Sequence, residues 1–533
     1  MKKMGKIIKK GELGAKTARM LSAVLAGNIS GLLIGVATIV IVARLLGPLG
    51  YGAYTIGISY YLLIDAAMQF GLTKYVSREI AVYVHKGDDK GLHTALSSSY
   101  YLTILISAIL TAIGIIASIF VAGIYANTGI NVNTLIIASF VMLVAMPFNT
   151  SVGALVGFGR SKLVIVSSLL ENAVQLVASF GLILIGAGFN GAIAGIVIGY
   201  TFGFGFAYVQ VARIASRNAR FRMRFSLKEL KRAWHFCVPI AVTNALNNGV
   251  GYFATFILGI FVSVYVIGNY GVAMRFSTLL SVVAGSVPIA ILPALSIVMS
   301  GRKARKTAKK DDGAEQAYRK TIFYSLAAML PLVVFLGVFS KPLVAFFVTK
   351  SYALAPLYVS AISLGIMLGL IGQYAASIII AGGHTRKLMK YTAISAFAQL
   401  ASMLVLVPLI GAIGAIISVF VIGGIVSTLV IVIGIGNIYQ MRLSYAGICK
   451  VVLAAVFLAA VLAAGYLIKS NLIEIIYGIA ATLVLYPVFL SAVRAIGVAE
   501  LNELEGIAKR SNVIRTMSGF IISYFRFLTD KLA

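Results

Sequence analysis

The sequence has little charge for its length, and acidic residues are especially scarce. Of its 533 residues only 11% are charged, and just 15 are Asp or Glu. A soluble protein of average composition has about a quarter charged residues, so this class is excluded. The apolar residues instead form runs of the roughly 20 residues that a helix needs to cross a bilayer. The sequence therefore predicts an all-α polytopic membrane protein.

Cysteines and catalytic motifs are also scarce. Cys237 and Cys449 are far apart and lack metal-ligand or CxxC spacing, so we expect free thiols and no disulfide scaffold. No HExxH, GxSxG, P-loop or paired-carboxylate pattern occurs. No soluble segment is long enough to form a catalytic domain. We therefore expect no enzyme activity, no catalytic residues, and neither a metal nor a cofactor.

The strongly positive balance, formally +30, follows a topological pattern. Nearly all Lys and Arg residues fall in alternate connections between the apolar runs, as the positive-inside rule requires. The exceptions are Arg44, Arg275, Lys341, Lys350 and Lys469. This pattern predicts a multi-pass protein of the cell membrane with both termini in the cytoplasm. It also favours membrane lipids with anionic headgroups as partners, rather than nucleic acid.

The apolar runs give about fourteen predicted spans, arranged as two six-span lobes followed by two more spans. The predicted segments are a basic cytoplasmic tail (1–19), an N-terminal lobe (20–213), a basic amphipathic cytoplasmic linker (214–232), a C-terminal lobe (233–437), spans 13 and 14 (446–496) and an amphipathic cytoplasmic tail (497–533). Both tails and the linker mix basic and apolar residues, which suits the inner membrane surface.

The two lobes share short sequence matches in the same order. The matched pairs are Tyr51-Gly52 with Tyr270-Gly271, GFGRSKL (Gly157–Leu163) with GGHTRKL (Gly382–Leu388), and Gly191-Ala192-Ile193 with Gly414-Ala415-Ile416. Because the matches keep their topological positions, they predict a duplicated six-span unit. Both copies would start inside, so we expect a pseudo-two-fold along the membrane normal and a substrate path between the lobes.

Arg275, Asp65 and Glu171 are charged residues well inside predicted spans, where charge is costly and marks functional sites. Arg275 lies about two turns into span 8, where its planar guanidinium suits an oxyanion such as a phosphate. Snorkelling or pairing with a neighbouring helix is the alternative. Asp65 in span 2 and Glu171 in span 5 could pair with Arg275 or take up H⁺ or Na⁺. Structural hydrogen bonds between helices would explain both acids equally well.

Polar residues recur on one face of span 7, and they include Asn244, Asn247 and Asn248. Their spacing of three and four residues makes a stripe that could line a wet cavity and bond sugar hydroxyls. Close helix packing is the alternative. Asn28 belongs to a thinner stripe on span 1.

Lys74 and Arg78 are one turn apart at the inside end of span 2. They could attract a diphosphate headgroup from the cytoplasmic leaflet. A role in setting the topology of the chain is the alternative.

The stretch LLGPLGYGAYTIGISYYLLIDAAMQFGLTKYVSREIA resembles the N-terminal signature of the polysaccharide transporter (Wzx-type oligosaccharide flippase) family. That family belongs to a superfamily with the multidrug and toxin extruders and the MurJ-like lipid II flippases. The stretch Tyr270–Ser296, ending in LPALS, is similar to the corresponding Arg-bearing helix of the flippases.

The resemblance implies a two-lobed flippase that moves a polyprenyl-(di)phosphate-linked oligosaccharide to the outer leaflet. It places Arg275 in the substrate cavity, and glycan-assembly proteins become possible partners. The Arg-Asp pair that MurJ-like proteins have in span 1 is absent, and Asn28 lies in that span instead. This difference argues against lipid II itself as the substrate.

Two other functions remain open from the sequence. One is a Na⁺- or H⁺-coupled multidrug or metabolite exporter. The other is a non-transporting membrane enzyme or scaffold for glycan assembly. Spans 13 and 14 favour the flippase, because the drug exporters generally have twelve spans.

Overall fold

A computed structural model describes residues 10–68, 71–125, 129–216, 226–278, 280, 284, 312–381, 384–439, 445–468 and 470–495. Some side chains within these ranges, including those of residues 10–33, lie outside the description. The C-terminal tail predicted at 497–533 and residues 217–225 of the linker predicted at 214–232 also lie outside the described residues.

The described residues are almost entirely helical. The helices are α1 (Lys10–Met68), α2 (Leu72–Lys86), α3 (Asp89–Ile124), α4 (Val132–Gly157), α5 (Ser161–Leu182), α6 (Gly188–Ala215), α7 (Leu227–Phe261), α8 (264–278), α9 (Asp312–Val338), α10 (Ser340–Phe347), α11 (Ala355–Ala381), α12 (Thr385–Ile416), α13 (Gly423–Tyr439), α14 (Tyr445–Ala463) and α15 (Asn471–Ala492). Single π-helical turns, Ile183–Ala187 and Ile417–Ile422, follow α5 and α12.

Nine stretches of the described helices are long and apolar enough to cross a membrane. Two of them, Ser161–Ala215 and Arg386–Tyr439, have 55 and 54 residues. At 1.5 Å per residue each is roughly 80 Å long, more than twice the thickness of the hydrocarbon core. Each is therefore a pair of spans folded at non-helical residues, and α1 likewise folds at Gly47. With α7 and α8, these helices confirm the predicted polytopic fold.

The two long hairpins turn through matching backbone conformations. Gly188 has φ 54° and ψ −138°, and Gly411 has φ 59° and ψ −132°. Both lie in a region that is open mainly to glycine, and each precedes one of the matched Gly-Ala-Ile sequences by three residues. The shared geometry supports the duplication inferred from those sequences.

The helices form two compact units, one ending at Gly268 and the other starting at Asn269. In the first unit α7 packs against α1, and α4 and α5 both pack against α6. The predicted N-terminal lobe ended at residue 213, so the unit extends past that boundary to include α7. In the second unit α9, α11, α14 and α15 contribute to one apolar core. Phe339 contacts Gly465 and Gly478, which joins the α14–α15 hairpin to this core.

Three local features differ from the predicted spans. The helix α1 begins at Lys10, inside the segment predicted as a tail. The inside end predicted for span 2, which carries Lys74 and Arg78, forms a separate helix, α2, with Gly71 at its N-cap. The apolar run at about 321–348 predicts a single span, but it is divided at Phe339, the N-cap of the short helix α10. Apolar periodicity alone did not reveal these breaks, because the residues on both sides are suited to helices.

Glycines bring backbones into contact in the first unit. A Cβ added at Gly52 would collide with the carbonyl oxygen of Val264, and one added at Gly268 would collide with that of Pro48. Backbone oxygens cannot turn aside as a flexible side chain can. The crossing of α1 with the start of α8 therefore requires glycine at both positions.

We predict that Gly52→Ala lowers stability by about 1–3 kcal/mol, the usual cost of overpacking. Gly123→Ala is the matched control, because no atom lies within 4 Å of its added Cβ. Thermal unfolding of both purified variants in detergent measures the difference. Equal melting temperatures would contradict the close approach.

Candidate translocation and coupling site

Arg275 lies in α8, in the second unit, and its side chain is half-buried. It follows the start of α8 by eleven residues, or about 16 Å along the helix axis. The neighbouring Ser277 and Thr278 hydroxyls donate to the carbonyl oxygens of Ala273 and Met274 at 2.9 and 3.0 Å. These bonds satisfy both hydroxyls within the helix. Arg275 thus supplies the charged group of this part of α8.

Glu171 lies at the tight interface between α5 and α6, with only 6% of the residue exposed. Its carboxylate Oε2 accepts a hydrogen bond of 2.8 Å from Nδ2 of Asn172. Gly203 and Gly199 face it from α6, and a Cβ on either would collide with Glu171 atoms. The two glycines therefore allow α6 to close over the carboxylate and bury it.

Asp65 approaches the same region from α1. Tyr200 on α6 lies within electrostatic range of Glu171, Asp65 and Tyr252. Its ring also packs edge-to-face on Phe148, with centroids 5.5 Å apart. Both acids predicted from the sequence thus lie within electrostatic range of one tyrosine, within a single unit. We call Asp65, Glu171, Asn172, Tyr200 and Tyr252 the acidic cluster.

Neither tyrosine of the acidic cluster is predicted from the sequence. Tyr252 follows Asn248 by one helical turn, so the predicted stripe on span 7 pointed towards it. Tyr200 stands next to Gly199, one of the glycines that let α6 approach α5. Tyrosine is common at the ends of membrane helices, and only the packing distinguishes these two.

The asparagines predicted to line a cavity occupy positions in described helices. Asn28 lies in α1, and Asn244, Asn247 and Asn248 lie in α7. Their side chains are outside the described residues. The helices α1 and α7 pack against each other, so all four positions belong to one helix pair. Their role as cavity residues stays a prediction.

The helix α2 exposes Lys74 and Arg78 along one edge. The guanidinium of Arg78 stands over the Phe236 ring of α7, with Cζ 5.7 Å from its centroid. Next to it, the carboxylate of Glu79 is 3.3 Å from Nη1 of Arg232. The Glu79 side chain is 3% exposed, whereas that of Arg232 is 52% exposed. An ion pair and an aromatic contact thus fix α2 to the start of α7. The cationic side chains of Lys74 and Arg78 remain exposed.

No three His, Cys, Asp or Glu residues come together as metal ligands in the described part of the chain. A pocket of about 650 Å³ opens at the end of the first unit opposite α2, beside Leu49, Ile124 and Phe261. No charged residue lines it, and none of the predicted site residues belongs to it.

A family model for polysaccharide biosynthesis proteins matches residues 18–299, more than half of the chain. The chain belongs to this family. No curated protein sequence matches this chain.

Solved structures show which fold this family member shares. A structure of lipid II flippase MurJ in an inward closed conformation matches with a TM-score of 0.69 and 17% identity, over 88% of this chain and 98% of that chain. An inward-facing multidrug resistance MATE family transporter of the MOP superfamily matches with a TM-score of 0.60 and 18% identity, over 75% of this chain and 92% of that chain. An outward-facing MATE family transporter matches with a TM-score of 0.54 and 18% identity, over 80% of this chain and 97% of that chain.

These matches confirm the predicted polytopic helical fold. The matching structures are those of a flippase and of transporters, and the likeness to each is one of fold.

We predict that Arg232→Ala lowers stability by about 1–3 kcal/mol, because the buried Glu79 carboxylate loses its cation. Adding Glu79→Gln to this variant should restore part of the loss. Arg319→Ala is the control, since Arg319 pairs with Glu315 at 2.6 Å on the surface of α9 and such pairs contribute at most about 1 kcal/mol. A thermal-unfolding double-mutant cycle measures the coupling, and a coupling near zero would refute it.

Proposed function

We propose that this protein flips a polyprenyl-(di)phosphate-linked oligosaccharide from the cytoplasmic to the outer leaflet by alternating access. The product would serve assembly of a cell-surface polysaccharide or a glycoprotein glycan. The observation that carries the proposal is membership of a polysaccharide biosynthesis family in a chain whose fold is similar to that of a lipid II flippase. The protein would lie in the cell membrane with both termini in the cytoplasm, as the distribution of Lys and Arg indicates.

Arg275 is the residue we propose to hold the phosphate group of the substrate. A half-buried guanidinium far along an apolar helix is expensive unless it has an anionic partner or reaches water. Its fork can bind two phosphate oxygens at once, which a lysine cannot do. Asn28, Asn244, Asn247 and Asn248 would then offer amides to the sugar hydroxyls.

Lys74 and Arg78 are the cations we propose to meet the headgroup first. They are exposed on a helix that is fixed to its unit by Glu79–Arg232 and by the Arg78–Phe236 contact. A rigid support holds charges in position without a further loss of side-chain freedom on binding. This arrangement favours a role in capturing the substrate or a membrane lipid.

The acidic cluster is the place where we propose that ion coupling occurs. A carboxylate as buried as Glu171 is costly to keep charged without a cation or hydrogen-bond donors. Asn172 supplies one donor, and Asp65 brings a second acid to the same tyrosine. Uptake of H⁺ or Na⁺ would neutralise this buried charge. Ion binding would thereby be coupled to the conformation of the unit.

A Na⁺- or H⁺-coupled exporter is the second candidate, and the acidic cluster is the observation that favours it. Against it stands the α14–α15 hairpin, which packs into the core of the second unit through Phe339. The multidrug transporter structures cover 75% and 80% of this chain, whereas the MurJ structure covers 88%. A glycan-assembly enzyme or scaffold has the least support, because the described residues contain no catalytic grouping.

Deleting the gene should make a lipid-linked glycan accumulate in the cytoplasmic leaflet, as measured by mass spectrometry of extracted lipids. Wild-type protein should clear the pool, and Arg275→Ala should leave it at least tenfold higher, because the phosphate loses its partner. Arg386→Ala, which changes an exposed arginine at the start of α12, is the control. New drug sensitivity without any glycan pool would support the exporter instead.

We also predict that the melting temperature of the purified protein depends on Na⁺ or on pH, by a few degrees, because an ion binds the folded acidic cluster. Glu171→Gln should abolish this dependence. Glu474→Gln is the matched control, since Glu474 is also 6% exposed and lies in the second unit. Ion dependence that persists in Glu171→Gln would place coupling elsewhere.

A further inference from the structure

The helices α2 and α7 run in opposite directions where they meet. The Glu79 carboxylate of α2 lies 3.3 Å from Nη1 of Arg232 in α7. One turn earlier in α2, the ring of Tyr75 packs on that of Phe236, one turn later in α7, with centroids 5.6 Å apart. A step back along α2 thus corresponds to a step forward along α7. We call this contact the α2–α7 interface.

One side of the α2–α7 interface is buried. Val76 and Ile80 directly follow the contact residues of α2, and Ala233 and Cys237 directly follow those of α7. All four have an exposed fraction of 0% or 1% and belong to one apolar core. Since a helix turns 100° per residue, the residues that directly precede the contacts lie on the other side of each helix. In an antiparallel pair these two sides adjoin.

Four basic side chains lie on the side of the interface away from the core. They are Lys74 and Arg78 of α2 and Lys231 and His235 of α7, each of which directly precedes a contact residue and is exposed. Within each helix the two are one turn apart, about 6 Å along the axis. Packed helices have axes about 8–10 Å apart, so the four side chains can reach one anionic group. We call them the basic quartet.

The basic quartet keeps its donors available. Within the described part of the chain, Lys74, Lys231 and His235 form no ion pair. The Arg78 guanidinium lies over the Phe236 ring, with Cζ 5.7 Å from the centroid, and its N–H groups remain at the edge of its plane. An anion that approaches from outside the helix pair therefore meets charge that no described acid neutralises.

The α2 half of the basic quartet stands on a rigid support. A Cβ added at Gly153 or Gly157 of α4 would collide with the backbone oxygen of Thr73 or Ser77 in α2. These close contacts and the α2–α7 interface fix α2 on two sides. Charges that are already in position lose less freedom when a ligand binds. Basic residues at a cytoplasmic helix end also set topology, but that role does not require them to align across two helices.

We infer that the basic quartet binds the diphosphate headgroup of a lipid across the α2–α7 interface, with Lys231 and His235 as the half of the site that α7 contributes. A diphosphate offers more charge and more acceptor oxygens than a monophosphate, which suits donors that come from two helices. The site rests on the proposed function only for its natural ligand, a polyprenyl-diphosphate-linked glycan.

Trp234 provides a local probe of binding, because it is the only tryptophan of the chain and lies, exposed, next to His235. The purified protein in detergent is titrated with geranylgeranyl diphosphate while the fluorescence of Trp234 is followed. We expect a saturable change that inorganic pyrophosphate reverses by competition. Geranylgeraniol, which lacks phosphate, should produce no such change, and an equal response to it would overturn the inference.

Phosphatidate separates the substrate from ordinary membrane lipids as the source of the headgroup. It carries a single phosphate, so it should bind at least about tenfold more weakly than geranylgeranyl diphosphate, a difference of about 1.4 kcal/mol. Equal affinities would overturn the assignment of the site to a diphosphate.

Substitutions on each helix test whether both contribute. Lys231→Gln with His235→Gln should weaken binding of geranylgeranyl diphosphate at least about tenfold, because two contacts to a charged group are lost. Lys74→Gln with Arg78→Gln should do the same, whereas Lys231→Arg keeps the charge and should preserve the affinity. Wild-type affinity in the α7 double variant would overturn the inference. Its melting temperature should equal that of the wild type, since both side chains are exposed.

Arg386→Gln with Lys387→Gln is the matched control, because both residues are exposed at the start of α12 in the second unit. It removes cationic side chains elsewhere and should leave the affinity unchanged, and a loss equal to that of the α7 variant would overturn the inference. The titration requires no flipping, so it is decided even if gene deletion yields no glycan pool. A glycan pool together with wild-type affinity in the α7 variant would overturn the site and leave the flippase proposal standing.

Discussion

The hydrocarbon interior of a bilayer offers no partner to a polar group, and the rest of this structure depends on that constraint. The backbone satisfies it by forming helices almost throughout the described residues. Many side-chain hydroxyls satisfy it by bonding carbonyls of their own helices or each other, as Tyr100 does with Ser151 and Thr103 with Thr150, both at 2.8 Å. The candidate sites consist mainly of charged and amide groups, and a charge costs more to bury than a hydroxyl does.

The same constraint explains why glycines accompany the sites. A buried carboxylate must be enclosed closely enough to exclude lipid, and Gly199 and Gly203 let α6 reach Glu171. A hydroxyl can reach the backbone of a neighbouring helix only where no side chain intervenes, as Gly372 allows for Thr428. Small residues therefore determine where polar chemistry is possible, although they supply none of it.

Much of the fold could be predicted from the sequence. The number and length of apolar helices follow from hydropathy, and the structure confirms the predicted polytopic helical fold. The separate helices α2 and α10 could not be predicted, because a break between two helical segments depends on what packs around it. The assignment of α7 to the first unit depends on its packing against α1, which hydropathy does not encode.

The candidate site was only partly visible in the sequence. Asp65 and Glu171 were recognisable as isolated charges, but their shared neighbour Tyr200 was not, since no spacing rule links residues on three helices.

The paired hairpin turns at Gly188 and Gly411 also give an order of events. A backbone turn shared by both halves fits descent from a half-length ancestor, whose six-helix chain would have needed a second copy to complete the fold. Asp65 and Arg275 have no charged counterpart in the other half, where Ala284 and Ile56 correspond. Fusion into one chain would let the halves diverge in this way, as the proposed division between ion coupling and substrate binding requires.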